Sequence, residues 1–308
     1  MEVLVTGGAG FIGSHIVDEL LKKKHTVTVL DIIKQEQAGN LGHCLDKITY
    51  LQGDICDSSL VLKACRNKDH IFHQAAKVSV PESISNPQLY EQVNVQGHLN
   101  ILQAARSSSV KRVICASSCA VYGDPIEIPQ KETTATYPKS PYAESKLKAE
   151  QHTKYFFQRH GMETVSLRYF NVFGPRQQDS GAYASVIPLF IKKMLQNQQP
   201  TIYGEGNQSR DFIHVKNVAA ANVLMLSAEG VAGEVYNVCT GLSHNLNQLV
   251  DHINKILNKD IKPVNASPRA GDIHTSRGDP QKLLSVGFRP IIEFKQGLQN
   301  TIEWIKAQ

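Results

Sequence analysis

The stretch Val5-Thr6-Gly7-Gly8-Ala9-Gly10-Phe11-Ile12-Gly13 decides the fold class of this chain of 308 residues. Gly8, Gly10 and Gly13 satisfy the pattern G-x-G-x-x-G, and Gly7, Gly10 and Gly13 satisfy G-x-x-G-x-x-G. A β-type apolar run at 2–6 precedes the glycines, and apolar residues at helical spacing follow them up to a lysine run at 22–24. The stretch therefore predicts a tight turn that connects a strand to a helix.

This turn has the surroundings that a dinucleotide-binding loop requires. The next predicted strand, Thr26–Leu30, is closed by Asp31, which follows Gly13 by 18 residues, near the roughly 20 that are typical. Missing Cβ atoms let the backbone approach a pyrophosphate, and the helix N-terminus supplies amide donors and a favourable dipole. Asp31 can accept hydrogen bonds from both hydroxyls of an adenosine ribose and would repel a 2′-phosphate. The sequence thus predicts NAD as cofactor and disfavours NADP.

Strands and helices alternate along the first part of the chain. Further strands are predicted at Ile48–Gln52, His70–Phe72, Arg112–Ala116 and Thr164–Leu167. Helices are predicted at Leu89–Ala105, Ala143–Gln158, Val186–Leu195, Val215–Leu226, Leu246–Leu257 and Phe294–Ile305. Alternation of this kind implies crossover units and a parallel sheet covered on both faces. We predict an α/β fold: a Rossmann-type doubly wound sheet over residues 1–170 and a smaller α/β substrate-binding domain over 171–308, with the chain crossing between them.

Composition excludes several classes of protein. The chain is 41% apolar and carries 33 basic against 28 acidic residues, a net charge of +5. It therefore has enough apolar material for a core, and its mild charge does not indicate a nucleic-acid partner. We expect no secretory signal and no membrane span, since the longest apolar stretch, Val218–Leu226, is far shorter than the ~20 residues required.

Neither the cysteines nor the histidines form a metal-binding pattern. None of the six cysteines belongs to a C-x-x-C pair, so we interpret them as small buried hydrophobic residues in a reducing cytoplasm. His70 and His73 are the only close pair on a predicted strand, where residues three apart point to opposite faces. We therefore predict no metal site.

A tyrosine, a lysine and a serine form the candidate catalytic group. Tyr142 and Lys146 stand four residues apart where Pro141 can open a helix, so both side chains share one face. An ammonium beside a phenol favours the phenolate, and we expect it to lower the pKa of Tyr142. Ser117 and Ser118 end a predicted strand, where ligands of open α/β sheets bind. Tyr142 is then a candidate general base, with a serine bound to the same substrate oxygen.

Beyond these residues, the sequence resembles the extended short-chain dehydrogenase/reductase superfamily, and within it the UDP-sugar 4-epimerase family. The matching segments run through nearly the whole chain: 6–13, Gly53-Asp54-Ile55, His73-Gln74-Ala75-Ala76, Asn94-Val95-Gln96-Gly97, Ser117-Ser118 before Val121-Tyr122-Gly123, Tyr142-x-x-x-Lys146, 168–176 (RYFNVFGPR), Ser209-Arg210-Asp211-Phe212, and Arg269-Ala270-Gly271-Asp272. The resemblance implies tightly held NAD and redox-neutral 4-epimerisation of a UDP-hexose through a 4-keto intermediate.

The resemblance also implies roles for individual residues. Catalysis would fall to Ser118, Tyr142 and Lys146. With the glycine turn and Asp31, the cofactor-binding residues are Gly7, Gly10, Phe11, Ile12, Gly13, Asp31, Asp54, Ile55, Gln74, Ala75, Ala76, Asn94, Ser117, Tyr142, Lys146 and Tyr169. The substrate-binding residues are Ser118, Tyr142, Asn171, Val186, Pro188, Tyr203, Arg210, Arg269, Asp272 and Ser276. Arg210 and Arg269 suit a diphosphate because each guanidinium offers a planar fork of donors.

Departures from the family patterns narrow the reaction. Dehydratases and decarboxylases of the superfamily usually carry an acid before Val-Tyr-Gly, where this chain has Ala120, so dehydration is disfavoured. The position four residues beyond Asp272 gates the sugar 2-substituent in the family. Here it is Ser276, a small residue, which favours UDP-N-acetylglucosamine and UDP-N-acetylgalactosamine alongside UDP-glucose and UDP-galactose.

Other functions remain open at this stage. UDP-glucuronate 4-epimerase, or another nucleotide-sugar-modifying enzyme of the superfamily, is the main alternative. An NADPH-dependent reductase is opposed by Asp31, and a non-enzymatic NAD-sensing protein would have no reason to keep Ser118, Tyr142 and Lys146 together. The family resemblance further implies a homodimer, in which Leu89–Ala105 and Ala143–Gln158 of each subunit form a four-helix bundle.

Overall fold

A computed structural model describes residues 1–124, 127–178, 185–268 and 275–308. Its strands are β1 Glu2–Thr6, β2 Thr26–Asp31, β3 Ile48–Gln52, β4 His70–His73, β5 Arg112–Ser118, β6 Glu163–Tyr169, β7 Asn171–Phe173, β8 Thr201–Tyr203, β9 Ser209–Arg210, β10 Phe212–His214, β11 Val235–Val238, β12 His244–Asn245, β13 Val264–Ala266 and β14 Thr275–Ser276. Its α-helices are α1 Phe11–Lys22, α2 Ser58–Cys65, α3 Val80–Ser85, α4 Pro87–Tyr90, α5 His98–Ser107, α6 Pro141–His160, α7 Val186–Leu195, α8 Val215–Leu224, α9 Leu246–Leu257, α10 Gln281–Ser285 and α11 Phe294–Lys306.

The main sheet has seven parallel strands in the order β3-β2-β1-β4-β5-β6-β11. The chain builds outward from β1 to β3 and then returns to the other side of β1 with β4. Strand order thus reverses between β1 and β4, and such switch points open a crevice at the carboxyl ends of the strands. The predicted α/β class with a doubly wound parallel sheet is confirmed.

Alternating side chains of the strands supply two cores. On β1, Val3 and Val5 pack into one cluster with apolar residues of α1 and α8. Leu4, between them, points into the opposite cluster with residues of α2 and α5. Both faces of the sheet are therefore covered by helices, which is why its strands are apolar on both sides.

The two helices that frame the crevice differ in regularity. Ser140 caps α6 by accepting from the Ala143 amide, Pro141 occupies its first turn, and Gly161 ends it in the left-handed conformation. The single helix predicted at Leu89–Ala105 is instead divided into α4, a π-helix at Glu91–Gly97, and α5. Apolar spacing cannot distinguish this wider turn from an α-helical one, and so the sequence did not reveal it.

The later part of the chain does not form a separate layer throughout. β11 joins the edge of the main sheet beside β6, and α8 packs on α1. The rest forms small sheets, β7-β10, β9 between β12 and β14, and β8-β13, around a core shared by α7, α9 and α11. Residues 215–238 thus belong to the cofactor-side sheet although they follow the predicted boundary at 170. Within the described ranges, no helix combines the length and apolarity needed to cross a bilayer.

Candidate active site

The glycine turn lies at the carboxyl end of β1 and packs backbone against backbone. Gly7 has φ +67°, and a Cβ there would lie 2.6 Å from the Ala75 amide nitrogen. A Cβ on Gly13 would overlap the Gly7 carbonyl oxygen. α1 starts directly after Gly10, with no side chain capping its first turn. The turn therefore offers helix-terminal amides to a ligand, and its shape fits the pyrophosphate of NAD.

Asp31 stands beside this turn, at the carboxyl end of β2. Its Oδ2 accepts a hydrogen bond from the Ala9 amide at 2.9 Å, and its Oδ1 accepts from the Ile33 amide at 3.0 Å. The carboxylate is buried and held next to the loop that the pyrophosphate would occupy. This position suits the ribose-binding role predicted for it.

Ser118 and Tyr142 are brought together by β5 and α6. Ser118 is the last residue of β5, where its Oγ accepts from the Ala120 amide at 3.2 Å. Tyr142 lies in the first turn of α6, with its phenol near the Ser118 side chain. Lys146, one turn further along the same helix, is buried. The predicted catalytic residues therefore lie on two adjoining elements at the edge of the crevice.

Burial controls the ionisation of this pair. Loss of solvent raises the pKa of Tyr142 to about 12, although the nearby Ser118 hydroxyl acts in the opposite direction. Loss of solvent likewise lowers the pKa of Lys146 to about 8, against the opposing influence of Cys115 and Glu150. The expectation that Lys146 lowers the pKa of Tyr142 is therefore wrong for the chain alone, because desolvation of the phenol outweighs its favourable contacts.

Three amide side chains, those of Gln74, Asn222 and Asn94, connect the predicted nicotinamide end to neighbouring elements. The Tyr169 hydroxyl, at the end of β6, lies 3.0 Å from Gln74 Oε1 and 2.9 Å from Asn222 Oδ1. Asn94, in the π-helix, accepts from the Lys77 amide at 2.8 Å and donates to Ser145 Oγ at 2.9 Å. Asn94 thus links the segment after β4 to α6.

The remaining predicted cofactor residues differ in their surroundings. Ile55 is buried, whereas Asp54 is exposed and its Oδ1 accepts from the Cys56 amide at 2.8 Å. Ser117 is buried, and its hydroxyl donates to Glu150 Oε2 at 2.8 Å. Partly buried positions are occupied by Gly10, Phe11, Ile12, Ala75 and Ala76. Direct contact of these residues with NAD stays a prediction.

Comparison with known proteins assigns the chain to a family. Residues 3–239 match the family model described as the NAD dependent epimerase/dehydratase family. The chain belongs to the NAD-dependent epimerase/dehydratase family. It is 34% identical over 311 residues to the UDP-glucose 4-epimerase of Mycolicibacterium smegmatis, covering 99% of both chains.

Two solved structures of family members are also closely similar. The UDP-N-acetylglucosamine 4-epimerase from Methanobrevibacter ruminantium, in complex with UDP-N-acetylmuramic acid, superposes with a TM-score of 0.95 at 40% identity, covering 100% of this chain and 98% of that one. The UDP-glucose 4-epimerase of Thermus thermophilus, in complex with NAD, gives a TM-score of 0.89 at 35% identity and covers 100% and 99%.

In this family member, small strands gather part of the predicted substrate site. Asn171 begins β7, and its Nδ2 donates to the Asp211 carbonyl oxygen at 3.1 Å. Arg210 ends β9 directly before Asp211 and lies opposite Ser276 of β14. Ser276 is buried near the Cys119 thiol, which follows Ser118 in the chain. Asn171, Arg210 and Ser276 are therefore near one another and close to the predicted catalytic serine.

Other predicted substrate residues lie on separate elements or outside the described ranges. Val186 and Pro188 are in the first turn of α7, and Tyr203 ends β8. Arg269 and Asp272 fall outside the described residues. Their contribution to binding stays a prediction.

Two buried acids near the site were missed by sequence reasoning. Asp211 is fully buried and accepts hydrogen bonds from the Thr240 amide, the Thr240 hydroxyl, the Gly241 amide and the Gly278 amide, at 2.7–3.3 Å. It therefore joins β9 to two other segments. Glu150 forms a buried ion pair with Arg168. The one available signal for Asp211 was its place inside the Ser-Arg-Asp-Phe segment, whereas Glu150 lies four residues beyond the Tyr-x-x-x-Lys segment.

One possible metal-ligand group is present elsewhere in the described ranges. Ligand atoms of Asp18, His43 and Cys44 lie within 4.8 Å of one another. Asp18 also forms a hydrogen bond with His43 and an ion pair with Arg176, both at 2.8 Å. The guanidinium competes with any cation for this carboxylate, so the absence of a metal site stays our prediction.

Proposed function

We propose that the protein catalyses NAD-dependent 4-epimerisation of UDP-hexoses through a 4-keto intermediate. The observation that carries the proposal is the proximity of the Ser118 hydroxyl to the Tyr142 phenol, at the carboxyl end of β5 and the first turn of α6. Cys119, which follows Ser118 in the chain, is near Ser276 and Arg210, which the family pattern assigns to the UDP-sugar, and near Tyr142. These positions support a proton-transfer pair close to a candidate anion-binding group.

The roles of the side chains follow from their chemistry. Tyr142 would remove the proton from the sugar 4-hydroxyl, and Ser118 would donate a hydrogen bond to the same oxygen. Lys146 would bond to the nicotinamide ribose. NAD supplies the redox chemistry by accepting hydride from sugar C4 and returning it to the opposite face. The protein must therefore hold the keto sugar loosely enough for it to turn over about its diphosphate link.

Size at the sugar site favours a broad substrate range. Ser276 is small, buried and next to the Cys119 thiol, close to the catalytic serine. A small side chain at this position leaves room for an N-acetyl group at sugar C2. We therefore propose UDP-N-acetylglucosamine and UDP-N-acetylgalactosamine as substrates, together with UDP-glucose and UDP-galactose.

The residue before Val121 argues against elimination. Dehydratases of the superfamily use an acid there, and Ala120 can neither donate nor accept a proton. UDP-glucuronate 4-epimerisation remains the alternative, because a carboxylate at C6 leaves the C4 chemistry unchanged.

We further propose a cytoplasmic homodimer. Its interface would be a four-helix bundle formed from α6 and the α4–α5 segment of each subunit. Within one subunit, Lys148 and Glu91 already join these two elements through a 2.8 Å ion pair. Light scattering coupled to gel filtration tests the proposal, since a monomer at working concentration contradicts it.

The deciding experiment is a panel of UDP-glucose, UDP-N-acetylglucosamine and UDP-glucuronate, incubated with NAD-loaded enzyme without added cofactor. We expect 4-epimers of the first two, identified by chromatography and NMR. Turnover of UDP-glucuronate alone supports the alternative. No product from any of the three, with folded and NAD-loaded protein, overturns the epimerase proposal.

A further inference from the structure

We propose that Glu150 is a positioning residue, a buried carboxylate that joins the three elements carrying the catalytic and nicotinamide-side residues. Its Oε2 accepts from Ser117 Oγ at 2.8 Å and from Arg168 Nε at 3.0 Å, while its Oε1 accepts from Arg168 Nη2. All three side chains are at most 8% exposed. The catalytic part of this inference rests on the proposed function, whereas its structural part does not.

The partners of Glu150 are each adjacent to a predicted site residue. Ser117 precedes Ser118 at the end of β5, and Arg168 precedes Tyr169 at the end of β6. Glu150 itself lies on α6, one turn after Lys146 and two turns after Tyr142. One carboxylate therefore fixes the ends of two strands against the helix that carries the general base, and so sets the separation of Ser118 and Tyr142.

Stability alone does not require a charged group at this point. A buried ion pair can often be replaced by well-packed apolar residues with no loss of stability, because desolvation offsets the attraction between the charges. A carboxylate with both oxygens hydrogen-bonded does, however, define direction and distance better than apolar packing does. Arg168 is also held on its other side, with its guanidinium 4.7 Å from the centre of the Tyr122 ring. The arrangement is therefore suited to positioning.

Glu150 also bears on the charge of Lys146. Burial lowers the pKa of Lys146 to about 8, and the negative charge of Glu150 opposes that change. His73 and His98 also face Lys146, and burial lowers the pKa of both imidazoles, which keeps them uncharged at neutral pH. Within the described residues, the titratable groups that act electrostatically with Lys146 are thus His73 from β4, His98 from α5, Cys115 from β5 and Glu150 from α6.

Two variants separate positioning from charge. Ser117→Ala cuts the link to β5 and leaves the ion pair intact, so it tests the inference even if a charge-removing variant folds poorly. Glu150→Gln keeps the size of the side chain and removes its charge. The control is Glu144→Gln, which removes a charge from an exposed position in the first turn of α6.

The first measurement is hydrogen exchange by mass spectrometry on the NAD-loaded protein without substrate. We expect peptides over residues 116–122 to exchange faster in both test variants and unchanged in the control. The second is steady-state kinetics, in which we expect kcat to fall roughly 10- to 100-fold, with KM within about twofold and full NAD content, as for misplaced catalytic groups. In Glu150→Gln only, kcat should begin to fall at a lower alkaline pH than in the wild-type enzyme, because the negative charge that raises the pKa of Lys146 is lost.

Three results decide against the inference or against the function. Unchanged exchange together with unchanged kcat in both variants overturns the positioning role. Loss of NAD from Ser117→Ala with unchanged exchange also overturns it, since Ser117 then acts as a cofactor ligand. If the wild-type enzyme converts no UDP-sugar, the proposed function fails, and the exchange data alone decide whether Glu150 holds the strand end.

Discussion

Ser276 lies opposite Arg210 in the parallel pairing of β14 with β9, and it is close to the Cys119 thiol. A residue predicted to set substrate size is therefore close to both a diphosphate-binding candidate and the predicted catalytic serine. We expect Ser276→Tyr to lower kcat/KM for UDP-N-acetylglucosamine at least tenfold more than for UDP-glucose, because the ring would fill the space around sugar C2. Steady-state assays with both substrates measure this, with Ser285→Tyr on exposed α10 as control. Equal losses on both substrates would remove Ser276 from the specificity argument.

Tyr142 is the proposed general base, and its removal should affect turnover specifically. We expect Tyr142→Phe to lower kcat by about 10²- to 10⁴-fold, the usual contribution of a positioned proton-transfer group. NAD content, read from the absorbance of the denatured protein, should be unchanged. Tyr155→Phe, on the same helix but 53% exposed, is the matched control. A Tyr142→Phe enzyme with near-normal kcat contradicts the assigned role.

The glycine turn offers an unusually clear pair of substitutions. A Cβ at Gly13 would collide with the Gly7 carbonyl oxygen and come within 2.8 Å of Gly8 Cα, whereas one at Gly39 would meet nothing within 4 Å. We expect Gly13→Ala to lose bound NAD and to lower the free energy of unfolding by about 1–3 kcal/mol. Gly39→Ala should keep its NAD, and its free energy of unfolding should stay within about 0.5 kcal/mol of wild type. NAD retained at full occupancy in Gly13→Ala would show that the turn tolerates a side chain.

Lys146 should make stability depend on pH in the protein freed of NAD. Its folded-state pKa of about 8 lies below its ordinary 10.5, so the folded chain releases this proton first as pH rises. Titration of Lys146 should therefore increase the free energy of unfolding from about pH 8 upward, by roughly 3 kcal/mol at most. Below pH 8 the buried ammonium is charged and destabilises the folded state by this full amount. Lys146→Met should be more stable than wild type at pH 7, and the difference should shrink by pH 9.5.

Urea titrations at pH 7, 8 and 9.5 measure the difference between the two proteins at each pH, which cancels the titration of other groups. Lys154→Met, an exposed position on the same helix, controls for the loss of one lysine. A constant difference across this range would mean that Lys146 is not desolvated in the folded chain.

Asp31 should determine the choice between NAD and NADP. We expect Asp31→Asn to narrow the preference for NAD over NADP by tenfold or more, because the negative charge next to the predicted 2′-position is lost. Fluorescence titration of the reduced cofactors gives both dissociation constants, with exposed Asp46→Asn as control. An unchanged ratio of the two dissociation constants would mean that the 2′-hydroxyl of the adenosine ribose does not lie next to Asp31.

The sequence was sufficient wherever the fold depends on local pattern. Strand alternation and the glycine turn predicted β1 to β6 within a few residues, and apolar spacing gave the bounds of α7 and α9. Pairing of β11 with β6 could not be predicted, since a strand of only four residues carries no signal for its neighbour. The pKa of Tyr142 was predicted in the wrong direction because the spacing to Lys146 is visible in the sequence, whereas desolvation of the phenol is a property of the packed chain. Glu150 was missed for the same reason, because its partners Ser117 and Arg168 are distant in sequence.

The return of residues 215–238 to the main sheet limits how this protein can be recombined with its relatives. α8 covers α1, and β11 protects the free edge of β6. A fragment ending at residue 170 would expose an apolar helix face and an unpaired strand edge, which favour aggregation. Chimaeras that exchange substrate specificity should therefore take the segments around β9 and β14 as grafts, and keep the intervening residues 215–238 from the same parent as the cofactor half.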